Sequence, residues 1–90
     1  MAIYKDGISP AIRTMVQKIN EIGVKEITRY CDKHMHRMNI RRQMQIVRAV
    51  AKLGYTYAGL EFGITRQAAE IALKRIYGIA LEMEALKDGK

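Results

Sequence analysis

From Pro10 onward the apolar residues recur at intervals of three and four, the period of helices with one buried face. Ile12, Met15, Val16, Ile19 and Ile22 make the first stripe. Ser9 opens it as a cap, with Pro10 at the first helical position, where a missing N–H costs nothing. Gly23 closes it, so the pattern predicts a helix over Pro10–Ile22 with Arg13, Gln17, Lys18 and Glu21 facing water. A second helix is predicted over Val24–Met38, with Ile27, Tyr30, Cys31, Met35 and Met38 inward. Asn39 then caps a third over Ile40–Leu53, whose inner face is Ile40, Met44, Val47, Val50 and Ala51, and Gly54 stops it. A short helix reaches Phe62, and a long last one runs from Thr65 to about Leu86. Strand-favouring residues nowhere alternate with period two for more than a few positions. The expected fold is all-α, a small bundle of about five helices, with Met1–Ile8 as a loose arm.

Within that pattern Leu53–Arg75, LGYTYAGLEFGITRQAAEIALKR, has distinctive spacing. Gly63 stands where the chain must reverse through a left-handed φ. Gly59, four residues earlier, is small where the next helix must cross closely, and Phe62 plugs the angle between the two helices. Ile64 returns to the core and Thr65 caps the next helix. Arg66 and Gln67 follow on the exposed tip. That order predicts a helix-turn-helix over residues 54–75, inside a single domain of 1–90.

The run Gly63-Ile64-Thr65-Arg66-Gln67 resembles the turn and recognition-helix start of several bacterial helix-turn-helix families. It is similar to the last DNA-binding region of sigma factors and to the plasmid TrfB-type repressors, over about twenty residues. These families more often carry Ala where this chain has Gly59, a change worth about 1 kcal/mol of helix propensity. The resemblance implies an all-helical DNA-binding domain whose second motif helix enters the major groove.

Charge points the same way. Sixteen Lys and Arg against nine Asp and Glu give a net +7. From Lys33 to Lys52 the chain holds six basic residues (Lys33, Arg37, Arg41, Arg42, Arg48, Lys52) and no acidic one. The segment Ile76–Lys90 has Glu82, Glu84 and Asp88 against Lys87 and Lys90, three negative and two positive, a net of −1. A polyanion partner fits a surface so divided, because neutralised phosphates release counterions. The 90 residues suffice for one core but not for a deep catalytic cleft. One cysteine excludes an internal disulfide and predicts a cytoplasmic protein; no apolar run is long enough to span a membrane.

Other chemistry finds little support. Cys31 and His34 share a helical face, but His36 is rotated away, so a closed zinc site would need Asp32 or a second subunit. Ser9 reads as a cap, and no acidic pair flanks either histidine. No enzyme activity, metal or cofactor is expected. The tyrosines are dispersed among helices, apart from Tyr55 and Tyr57 close before the reading helix.

The sequence therefore predicts a sequence-specific binder of double-stranded DNA, a small transcriptional regulator of bacterial, plasmid or phage type. Arg66 is the candidate for a bidentate guanine contact and Gln67 for adenine. Thr65, Glu70, Ile71 and Lys74 share that outer face, where Ile71 would meet a thymine methyl and Glu70 either a cytosine amino group or Lys74. Arg41, Arg42, Arg48, Tyr55, Tyr57 and Arg75 are the expected phosphate contacts. Ile76, Ile79, Met83 and Leu86, within 76–87, are the expected homodimer contact, since one reading helix specifies too few base pairs alone. Docking of that stripe on the chain's own first helix is the alternative. Two other classes stay open: an adaptor that touches RNA polymerase, and a basic nucleoid or RNA-binding protein of little sequence preference.

Overall fold

The computed structural model describes residues 8–35 and 39–88. Four helices follow in order: α1 (Pro10–Ile22), α2 (Val24–His34), α3 (Ile40–Phe62) and α4 (Arg66–Asp88), with no strand among the described residues. The all-α expectation holds, but with four helices where about five are predicted. The predicted stop falls on Gly54, and there the backbone leaves helical geometry. Its φ of 85° and ψ of 174° are non-helical, yet helix resumes at once, so α3 has two arms, 40–53 and 55–62. Glycine meets this backbone with little strain.

The local signals behave as their chemistry requires. Ser9 Oγ accepts from the Ile12 N–H at 3.2 Å, Asn39 Oδ1 from the Arg42 N–H at 3.2 Å. Gly23, at φ 105°, donates its N–H to the Ile19 carbonyl and ends α1. The second helix stops earlier than its stripe suggests, because the chain leaves helical φ/ψ at Met35. Met38, Arg37 and His36 lie outside the described residues, as does most of the expected N-terminal arm.

The core is built from every helix. Ile12 and Ile19 of α1, Ile27 and Cys31 of α2, Ile40, Met44, Val47 and Val50 of α3, and Ala69, Leu73 and Ile76 of α4 are all buried. Helix α4 is the central element, packing on α3 and along α1. Polar ties fasten its far half. Lys18 Nζ meets Glu84 Oε2 at 2.9 Å, and the Tyr30 hydroxyl donates to Glu82 Oε2 at 2.9 Å. These bonds hold both the Lys18 ammonium and the Tyr30 hydroxyl above their ordinary pKa values.

That packing corrects the expected dimer stripe. Ile76 is 0% and Ile79 4% exposed, so neither can meet a second chain. They lie in the chain's own core because α1 and α2 cover this side of α4. Met83 is half-buried against the same core, and only Leu86, 60% exposed, remains outside. Gly78 also differs from expectation. A close helix crossing would explain a glycine there, but nothing lies within 4 Å of where its Cβ would stand.

Candidate nucleic-acid interface

The junction of α3 and α4 is set by three residues. The N–H groups of Gly63 and Ile64 reach back to the carbonyls of Leu60 and Gly59, at 3.4 and 2.9 Å, and Gly63 is left-handed at φ 67° and ψ 33°. This pair of bonds is a Schellman closure, which satisfies the last carbonyls of a helix while reversing the chain. Gly59 makes the reversal tight: a Cβ there would stand 2.8 Å from the Ile64 carbonyl oxygen and 3.3 Å from the Thr65 carbonyl. What approaches is turn backbone, where the sequence reading places the next helix. Thr65 then caps α4, its Oγ1 accepting from the Ala68 N–H at 3.0 Å.

A tip held this way presents a defined outer face. Ala69, Ala72 and Leu73 are buried beneath it, while Thr65, Arg66, Gln67, Lys74 and Arg75 are exposed. Ile71 sits among them 55% exposed, an apolar side chain with no cover. Glu70 is half-buried and pairs with Lys74, Oε2 to Nζ 2.9 Å. That hydrogen bond raises the Lys74 pKa, so the ammonium stays charged. Tyr55 is half-buried beside this cluster. Burial raises its hydroxyl pKa, Glu70 adds to the rise, and Lys74 and Arg66 partly offset it.

The expected phosphate-binding residues separate into groups. Arg42 belongs to the junction: its guanidinium carbon lies 5.7 Å from the Phe62 ring centroid, and its Nη2 donates to the Phe62 carbonyl at 3.5 Å. Arg41, one residue earlier, turns toward α2 and meets Asp32 at 3.6 Å. Arg48 lines a groove between the two arms of α3 with Gln45, Lys52, Glu61 and Phe62. Gln45 and Lys52 are absent from the sequence-based contact set, although Lys52 follows Arg48 by one helical turn. Tyr57 and Leu60 project from the second arm of α3, Leu60 at 72% exposure. Away from this face, Cys31 is buried, which pushes its thiol pKa up, and the Tyr30 and His34 rings lie 4.5 Å apart, tilted by 43°.

Compared with protein-family models, with curated proteins and with solved structures, the chain matches none. Fold and site together define a small, basic, all-helical domain with a polar helix tip projecting from a tightly closed glycine turn. No helix among the described residues is long and apolar enough to cross a membrane.

Proposed function

We propose that residues 54–75 form a helix-turn-helix and that the protein binds double-stranded DNA in a sequence-dependent way, as a small transcriptional regulator. The observation that carries this reading is the outer face of the first turns of α4. Arg66 and Gln67 stand exposed directly after the Thr65 cap, and Ile71 stands uncovered one turn on. Single exposed apolar side chains are common on protein surfaces, but at this place on the tip an isoleucine can be sheltered against a thymine methyl. Arg66 is suited to guanine and Gln67 to adenine, each as a two-bond contact. Glu70 acts through Lys74, which it holds at 2.9 Å, and so repels phosphate less than a lone carboxylate would. Arg42, Arg48 and Tyr55 flank the turn and supply backbone contacts, and Tyr57 and Arg75 extend them. Arg41, already beside Asp32, contributes least.

Exposed Tyr57 and Leu60 favour a second reading, in which the outer side of α3 touches another protein such as RNA polymerase. Replacement of Arg66 by Ala separates the two. On the DNA reading, specific binding weakens by about 1–3 kcal/mol with preference relaxed at one base pair, measured by competition against duplexes varied singly. Equal losses on all sequences demote Arg66 to a phosphate contact; no loss, with partner binding dependent on Leu60, selects the adaptor.

A further inference from the structure

We propose that the groove at the far end of α4 docks a second copy of this chain; the proposal rests on the DNA-binding reading for its purpose but not for its geometry. Ile22 of α1, Tyr30 of α2 and Met83 of α4 line the groove, and Leu86 stands on its edge, 60% exposed. One surface thus carries both an apolar hollow and a protruding apolar side chain. Its rim carries both signs of charge as well. Glu26 and Glu84 line it together with Lys87; Glu84 is held by Lys18 at 2.9 Å and Glu26 by the exposed Arg29 at 3.4 Å, whereas Lys87 makes no ion pair with a described residue. A two-fold axis through such a surface sets each Leu86 in the partner's groove and each Lys87 opposite the partner's Glu26, which is the self-complementarity an isologous contact needs.

Position along α4 supports the same occupant. Helical rise of 1.5 Å per residue puts Ile71, in the middle of the reading face, about 18 Å from Met83 and about 22 Å from Leu86. An axis there separates two reading faces by up to about 36–44 Å, less where the helices cross, and one turn of B-DNA, about 34 Å, falls inside that reach. The stretch that would lie on the axis is also the part of the chain with net charge −1, so it competes least with the basic face for phosphate. The homodimer expected from sequence is thereby moved from Ile76 and Ile79, which are core, to a groove completed by α1 and α2.

Sedimentation equilibrium of the full chain at micromolar concentration tests this without DNA. The expected result is twice the chain mass of 10.3 kDa for the wild type and 10.3 kDa for Leu86→Asp, with the helical circular dichroism of the wild type kept. Lys87→Glu should weaken the dimer, and adding Glu26→Lys should restore it. A wild-type monomer, or a Leu86→Asp dimer, overturns the proposal. On a palindromic duplex the monomeric variant should lose about 100-fold or more in affinity while keeping its affinity for a half-site. A dimer that binds no duplex still supports the groove and overturns only the reading of the α4 tip.

Discussion

Two glycines of this chain make a paired experiment, because the same substitution should have opposite signs at each. Replacing a helical glycine by alanine removes unfolded-state freedom and gains roughly 0.5–1 kcal/mol where nothing opposes it. At Gly78 nothing does, since the space within 4 Å of the new Cβ is empty. Gly78→Ala should therefore raise the melting temperature by about 2–8 °C, taking 4–8 °C per kcal/mol for a domain of this size. At Gly59 the new Cβ stands 2.8 Å from the Ile64 oxygen, where ordinary carbon–oxygen contacts are about 3.3 Å or more. The obstructing atoms are turn backbone, held by the Ile64–Gly59 hydrogen bond of 2.9 Å, and cannot rotate aside as a side chain would. Overpacking of this kind costs about 1–3 kcal/mol, which exceeds the propensity gain. Gly59→Ala should lower stability by about 1 kcal/mol net, and it should move Thr65 and the tip of α4 with it. Thermal melts followed by circular dichroism, with urea titrations of each variant, measure both. Equal stabilisation by the two substitutions would refute the close approach at the turn.

Ile79→Asp should strongly destabilise the fold in a melt at neutral pH and not merely alter assembly, since it places a carboxylate in the buried core. The cost, at least about 3 kcal/mol, is large against a total of roughly 5–14 kcal/mol for a chain of this length. Alkaline pH should loosen the junction through Tyr55. Its hydroxyl is raised in the folded state, chiefly by burial, so its contribution is complete below the unfolded value of about 10 and lost as pH rises through the folded one. Urea midpoints measured from neutral to strongly alkaline pH should fall more steeply for wild type than for Tyr55→Phe above that point, whereas parallel curves would remove Tyr55 from the account.

Much of the fold was legible because its signals are local. Ser9, Asn39 and Thr65 each bond an amide three residues away, and Gly63 needs only its own φ, so five-residue windows suffice to read them. Gly54 is legible as a break for the same reason, and the short helix expected beyond it is the second arm of α3. The stripe of α4 was legible as a buried face, but periodicity does not name what buries it. Ile76 and Ile79 looked surplus only because the reach of α1 and α2 over α4, tied by Lys18–Glu84 and Tyr30–Glu82, is a matter of sequence separations above fifty. The charged residues of the candidate face show the same limit. Arg41 and Arg42 are neighbours in sequence, and only the path of α3 sends one to Asp32 and the other to Phe62. Gly59 is legible as a site of close approach, but only the structure shows that turn backbone, not the next helix, lies above it.

Selection from random-sequence duplexes, with sequencing of the bound fraction at two salt concentrations, tests the central claim most directly. A sequence-reading α4 tip gives an enriched motif that survives the higher salt, read by Arg66 and Gln67, together with a general loss of affinity as phosphate contacts are screened. Flat enrichment at both concentrations would contradict it and leave a basic helical protein that holds nucleic acid without reading it.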